Sequence, residues 1–110
     1  MNVLPGYKEA IIPIEKFTRY ALDYSKDPDK AAAFEMALGY TQSSVDSLIA
    51  NIMCNLANFP ATPKGDKGYG MTYEVIMDLL GPNGKSARVL TAWIADKNSS
   101  QMRLITAHID

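Results

Sequence analysis

The polar residues best suited to chemistry lie at alternate positions of three predicted strands in the second half of the chain. Glu74 and Asp78 are on the first strand, Arg88 on the second, and Thr106 and His108 on the third. Alternate side chains of a strand share one face of a sheet, so all five are expected on one surface. A histidine that titrates near neutral pH could move protons on a phosphodiester whose charge an arginine stabilises. We therefore predict Arg88, His108 and Thr106 as catalytic residues. Asp78 and Glu74 are the predicted binding residues beside them. The alternative is a solvated sheet face with surface ion pairs, which antiparallel sheets commonly present.

Other residues also have both a functional and a structural interpretation. Lys30, in the first turn of a predicted helix, is a candidate phosphate-binding residue, with a solvated lysine as the alternative. Thr91 is a candidate for positioning a bound backbone, although the hairpin register given below places it on the core face. Tyr73 and Trp93 could stack on a base, but a cross-strand aromatic pair is more often part of a core. For Cys54 we expect a small buried apolar side chain.

Composition narrows the classes of function. One histidine and one cysteine are too few for a zinc site of the usual ligand count, and the glycines match no nucleotide-binding loop. We therefore predict no metal site and no cofactor. The net charge of −1 gives no DNA-binding signature, since non-specific DNA binding depends on an excess of basic residues. A protein partner is expected, and RNA is a second candidate partner.

The sequence also predicts a cytoplasmic location without membrane association. A single cysteine cannot form an intramolecular disulfide, which fits a reducing compartment. The first residues lack the basic start and apolar run of a signal peptide. No segment approaches the roughly 20 apolar residues that span a bilayer. A module released from a longer secreted protein would have the same composition.

The first half of the chain predicts three helices. The first covers residues 15–24, and its apolar stripe is Phe17, Tyr20, Ala21 and Tyr24. In the second, Asp27 is the N-cap, Pro28 takes the first helical position and Gly39 ends the helix. The third begins at a capping box of Ser43 and Asp46. Its core-facing stripe is Val45, Leu48, Ile49, Ile52, Met53 and Leu56.

The second half predicts an antiparallel meander. Residues 10–14 are predicted as an edge strand or an extended lead-in, and residues 60–68 as a mobile loop. Residues 81–84 predict a type I turn with a glycine bulge, which fixes the hairpin register. In the last strand Ile105, Ala107 and Ile109 are expected to face the core. The predicted cross-strand pairs are Leu79 with Ala87, Met77 with Val89, Val75 with Thr91, Tyr73 with Trp93, and Asp78 with Arg88.

These elements predict one α+β domain over residues 1–110. About three N-terminal helices pack on a C-terminal antiparallel sheet of three or four strands. Every predicted site residue on the strands depends on the hairpin register, because the register decides which side chains share a face.

The pattern resembles a family of small bacterial proteins known only as a domain of unknown function. The strongest part is residues 80–84, Leu-Gly-Pro-Asn-Gly, followed by residues 90–94, Leu-Thr-Ala-Trp-Ile. The other matching residues are Lys30, Phe34, Gly39, Tyr40, Tyr69, Gly70, Tyr73 and Thr106. The resemblance covers residues 11–109 and implies a stand-alone protein or a toxin-associated module. The order of helices before an antiparallel sheet is similar to the RelE and barnase-like ribonuclease toxins. The family usually has a proline-containing end after the last Thr-Ala pair, whereas this chain has His108 and Ile109.

Two functions follow as hypotheses. In the first, the domain is a toxin-like endoribonuclease in which Arg88 stabilises phosphate charge and His108 is the acid or base. In the second, it is a non-catalytic protein-binding module of the immunity, antitoxin or phage-inhibitor type. The slightly acidic charge and the lack of a catalytic motif favour the second, and the resemblance favours the first. A third possibility, a small-molecule site between helices and sheet, has no residue that identifies a ligand.

Overall fold

A computed structural model describes residues 1–99 and 101–110, and it confirms the predicted α+β class. The two main helices are α1, Pro28–Leu38, and α2, Val45–Asn55. Shorter helical segments are Tyr7–Glu9, Phe17–Ala21, Gln42–Ser44 and Leu56–Asn58. The strands are β1, Ala61–Asp66; β2, Met71–Leu80; β3, Ser86–Ala95; and β4, Met102–Ile109. They form one antiparallel sheet in the order β1-β2-β3-β4.

The helices cover one face of this sheet. Helix α1 lies against β3 and β4, and α2 lies against β2. The rings of Phe17 and Phe34 meet edge to face, with centroids 6.2 Å apart. Trp93 is fully buried in the same core. In the described residues, 1–99 and 101–110, no helix lies on the opposite, outer face of the sheet. Among the described residues, no helix has both the length and the apolar character needed to cross a membrane.

Helix α1 has the predicted ends. Asp27 Oδ1 accepts a hydrogen bond of 3.1 Å from the backbone N–H of Lys30, and Gly39 caps the C-terminus in a left-handed conformation. The start of α2 differs from the prediction. The capping box joins Thr41 and Ser44, one short helical turn earlier than Ser43 and Asp46.

The first predicted helix begins at residue 15 as expected but ends three residues before the predicted end at residue 24. Regular helical structure ends at Ala21, in a five-residue π-helix, Phe17–Ala21. A π-helix turns less per residue than an α-helix, so side chains three residues apart no longer align, whereas those four residues apart still share a face. Phe17 and Ala21 are buried as predicted, but Tyr20 and Tyr24 are 57% and 50% exposed. The predicted four-residue stripe is therefore only half correct.

Residues 60–68 do not form the predicted loop, because most of them belong to β1. The strand pairs with β2 through a bulge between Pro63 and Gly65. Its residues show no apolar alternation, and proline occupies an edge strand as its missing N–H requires. β1 therefore supplies the fourth strand that the sequence left open.

The central hairpin has the predicted register at every pair. Gly81 N donates to Lys85 O at 2.8 Å, and Gly84 has φ of 82°, as a glycine bulge requires. The tip of the hairpin contacts α1, because Asn83 N donates to Leu38 O at 3.2 Å. The turn thus fixes both the strand register and the position of the sheet against the helix.

Strand β4 contains a bulge that the sequence did not predict. Trp93 pairs with Leu104 but Ala92 pairs with Thr106, so Ile105 is an extra residue. Leu104 and Ala107 both face the core, whereas Ile105 is 37% exposed. The predicted phase is therefore correct for Ala107 and wrong for Ile105.

The N-terminal segment runs along the first part of the β4 edge. Ile11 forms an isolated parallel bridge with Arg103, through Ile11 N to Met102 O and Leu104 N to Ile11 O. Residues 10–14 are therefore the extended lead-in of the two predicted possibilities.

Candidate functional site

The predicted catalytic arginine, Arg88, lies on the outer sheet face, but its side chain is paired with a carboxylate that was not part of the predicted site. Arg88 Nη2 and Asp110 Oδ2 form an ion pair of 2.5 Å. This hydrogen bond raises the pKa of Arg88, together with the charges of Asp110 and Asp78. Asp78 is exposed and pairs with Arg88 across β2 and β3 as predicted. The arginine side chain is 64% exposed, so we interpret this group as a solvated ion pair.

His108 shares the outer face with Arg88, but the two side chains form no hydrogen bond among the described residues. His108 pairs with Leu90 and is half-buried. Thr106 is two residues away on β4, which places their Cα atoms roughly 7 Å apart along the strand. Arg88 is the diagonal neighbour of His108 on the adjacent strand, but its guanidinium is paired with Asp110.

Thr91 is out of reach of any ligand. Its side chain is fully buried. Its hydroxyl donates a hydrogen bond to Val75 O and accepts one from Trp93 Nε1. The residue has a structural role here, in agreement with the core face that the register assigns to it.

Two other predicted site residues, Lys30 and Thr106, are in direct contact. Lys30 Nζ donates to Thr106 Oγ1 at 3.2 Å, although the residues are 76 positions apart in the chain. Asp27 sets the position of Lys30 by capping α1, and the bulge at Ile105 sets the position of Thr106. The contact therefore joins the start of α1 to the edge strand.

This contact lies in a cavity of about 250 Å³, which we call the lysine cavity. Its lining residues are Lys16, Tyr20, Lys26, Asp27, Lys30, Ile105 and Thr106. Three lysines and one aspartate line this cavity, although the whole chain carries a net charge of −1. Such a concentration of positive charge in a concave site favours a polyanionic ligand such as a phosphodiester.

Sequence reasoning missed four polar members of this cavity: Lys16, Tyr20, Lys26 and Asp27. The three lysines have no regular spacing, and acidic residues lie between them at Asp23 and Asp29. No local pattern therefore marks them as a cluster. They converge because the π-helix and the following turn fold the chain back beside β4.

A second cavity lies on the outer face and touches the first. It has a volume of about 310 Å³ and is lined by Lys64, Lys67, Tyr69, Gly70, Thr72, Tyr73, Glu74, Ala92, Ile94 and Ile105. We call it the outer-face cavity. Ile105 lines both cavities, so they form neighbouring parts of one surface. Glu74, a predicted binding residue, is half-buried within it.

Cys54 lies in neither cavity, and its predicted burial is wrong. Cys54 is an exposed residue of α2, and it lines a shallow depression of about 510 Å³ between that helix and the hairpin. Asn51 in the same depression donates to Tyr40 Oη and Leu80 O, so its polar atoms are engaged in the fold. Among the described residues no group of three or more His, Cys, Asp or Glu side chains could hold a metal ion.

The comparisons with known proteins give one match. A family model described as a domain of unknown function, DUF6883, matches residues 3–110. Neither the curated proteins nor the solved structures contain a match to the chain.

Proposed function

This chain belongs to the DUF6883 family of domains of unknown function, and we propose that it is a small bacterial toxin-like domain that cleaves RNA. The observation that carries the proposal is the contact of Lys30 with Thr106 inside the lysine cavity. The reacting centre is thereby assigned to Lys30 and Thr106 instead of Arg88 and His108. Its RNA substrate is cytoplasmic.

The lysines supply what a phosphoryl transfer needs most, which is charge stabilisation. In the transition state negative charge grows on the oxygens around phosphorus, and preorganised cations stabilise it strongly in a site shielded from water. Lys30 is held in place by Thr106, and Lys16 and Lys26 line the same cavity. We assign all three to the phosphate oxygens. Cleavage is expected to continue in EDTA, because the ammonium groups provide the positive charge.

Asp27 is the general base in this proposal. Its Oδ1 caps α1, which fixes the carboxylate at the cavity, and its second oxygen has no hydrogen-bond or ion-pair partner among the described residues. The carboxylate takes the proton of a ribose 2′-hydroxyl, whose oxygen attacks the adjacent phosphorus. The bond from phosphorus to the 5′-oxygen breaks, and an ammonium of Lys16 or Lys26 protonates that oxygen. The products are a 2′,3′-cyclic phosphate and a 5′-hydroxyl.

The test measures the cleavage of total RNA and tRNA by the purified protein. Lys30→Ala and Thr106→Val are expected to lower the rate by roughly 100-fold or more, as the loss of one stabilising donor does elsewhere. Asp27→Asn is expected to abolish cleavage without unfolding the protein, because asparagine caps a helix as well as aspartate. Lys85→Ala is the matched control, since it removes the same charge from the exposed hairpin turn.

A product carrying a 2′,3′-cyclic phosphate supports the proposed reaction. Wild type that cleaves no faster than Lys30→Ala would contradict it. If His108→Ala or Arg88→Ala abolishes cleavage while Thr106→Val does not, the reacting centre lies at the pair predicted from the sequence.

A second candidate function is the binding of a protein partner without catalysis. It is favoured by the uncovered outer face, where Leu80 and Ile76 are 65% and 39% exposed beside the charged residues Asp78 and Arg88. A partner would cover this apolar strip, as interface cores commonly do. Leu80→Lys is expected to remove the partner in a pull-down from a native lysate. Recovery of no stoichiometric partner by the wild-type protein would count against this function.

A further inference from the structure

The outer-face cavity has the composition of a base-stacking site. Tyr69 is 79% exposed, and the wall beside it contains the apolar side chains of Ile94 and Ile105. An exposed aromatic ring next to an apolar wall is the arrangement on which unpaired bases stack in single-stranded RNA complexes. Lys64 and Lys67 line the same cavity and can contact the phosphates on either side of a base.

The turn before Tyr69 is held by backbone hydrogen bonds. Asp66 Oδ1 accepts from Gly68 N at 2.8 Å and from Gly70 N at 3.1 Å, so both neighbours of Tyr69 are fixed. The ring itself is not part of the core. Tyr69 therefore presents its ring to solvent from a fixed backbone, which lowers the entropy cost of stacking.

Glu74 supplies the polar group of this cavity. It is half-buried, and among the described residues its carboxylate has neither a hydrogen-bond donor nor an ion-pair partner. A carboxylate only accepts hydrogen bonds, so it is complementary to a base edge that carries N–H donors. Guanine has an imino and an amino donor side by side, whereas the single N–H of uracil lies between two acceptors.

We propose that the outer-face cavity binds one unpaired nucleobase of an RNA strand whose neighbouring phosphate occupies the lysine cavity. The two cavities are adjacent because Ile105 is a wall residue of both, so an RNA strand that occupies both passes over this side chain. Tyr69 stacks on the base, Glu74 selects bases with N–H donors, and Lys64 and Lys67 neutralise the backbone. This subsite deepens the proposed ribonuclease function and rests on it for its biological meaning.

The experiment uses short single-stranded RNA with 2′-fluoro ribose, which cannot be cleaved through the 2′-oxygen. Fluorescence anisotropy gives the Kd of the full chain for oligonucleotides with one guanine, adenine, cytosine or uracil. Tyr69→Ala is expected to raise the Kd roughly tenfold, within the range that alanine substitution of stacking residues gives, and Tyr69→Phe to preserve it. Tyr24→Ala is the matched control, because Tyr24 is also an exposed tyrosine and lies outside both cavities. Glu74→Gln is expected to reduce the preference for guanine over uracil.

The outcomes separate this inference from the proposed function. If wild type cleaves natural RNA but Tyr69→Ala binds and cleaves like wild type, the subsite is overturned and the ribonuclease function stands. If wild type cleaves no RNA but binds the 2′-fluoro strand through Tyr69, the subsite stands and the catalytic function fails. Binding that is equally weak for wild type and Tyr69→Ala overturns the subsite in every case.

Discussion

The indole Nε1 of Trp93 donates a 2.8 Å hydrogen bond to Thr91 Oγ1 inside the core. The Thr91 hydroxyl in turn donates to Val75 O at 2.8 Å, and both side chains are fully buried. One hydroxyl therefore satisfies a buried donor on β3 and a buried acceptor on β2. This explains why a polar residue occupies a core position, since buried polar groups without partners are costly.

Thr91→Val is expected to lower the free energy of unfolding by about 1–3 kcal/mol, because the indole N–H loses its acceptor without any loss of side-chain volume. Thr91→Ser keeps the hydroxyl and is expected to lose less. Urea denaturation followed by the fluorescence of Trp93, the single tryptophan, measures both. Equal losses for valine and serine would show that the hydroxyl does not stabilise this pair.

Gly81 is predicted to tolerate no side chain. A Cβ there would lie 2.2 Å from the backbone oxygen of Leu38, so the hairpin tip would have to move away from α1. We expect Gly81→Ala to destabilise the protein by at least about 2 kcal/mol. Gly84→Ala is the control. It has positive φ and open space around it, so only backbone strain of about 1 kcal/mol is expected. A smaller loss at Gly81 than at Gly84 would contradict the contact.

The β1–β2 turn is predicted to weaken at acid pH. The backbone N–H of Gly68, and then that of Gly70, lower the pKa of Asp66 below its ordinary value. A lowered folded-state pKa stabilises the fold above the unfolded pKa of about 3.9, and this contribution disappears as the pH falls through the folded pKa. Asp66→Asn keeps an acceptor but does not titrate in this range. The stability difference between wild type and Asp66→Asn is therefore expected to shrink from pH 6 to pH 3 in urea titrations. A difference that stays constant with pH would be inconsistent with these hydrogen bonds.

Cys54 is predicted to react in the folded protein. The thiol is exposed, so a disulfide reagent such as DTNB should modify one thiol per chain without denaturant. Cys54→Ser has no thiol and is expected to give no reaction with DTNB, so it measures the background signal. Modification that requires urea would mean that the thiol is buried, as expected from the sequence alone.

The fold could be predicted where its causes are local. The turn at residues 81–84 fixed the register of a ten-residue hairpin, and Asp27 and Gly39 marked both ends of α1. β1 could not be recognised because its pairing comes from the backbone of β2, while its own sequence contains proline and glycine without apolar alternation. The side chains of β1 therefore show no pattern from which a strand could be predicted.

The candidate site was predicted only in part, for a related reason. Lys30 and Thr106 could be named from residue type and resemblance, but their contact joins segments that are 76 positions apart. Asp27 was identified as a helix cap. That it also lines the lysine cavity depends on the turn before α1, which the sequence did not predict. Arg88 was placed on the correct face, but its partner Asp110 lies at the end of the chain. Such long-range pairs leave no periodic signal in a single sequence.

The extra residue in β4 divides that strand into a first part, before Ile105, and a second part, after it, whose side chains alternate in opposite phase. Strict alternation from Met102 and Leu104 would have turned Thr106 and His108 inward and Ala107 outward. The extra residue reverses this phase halfway along, so the same strand supplies hydrophobic packing first and solvent-facing polar groups afterwards. Thr106 therefore lines the lysine cavity only because β4 contains one extra residue. Deleting a residue from this strand would displace Thr106 from the cavity as surely as replacing it would.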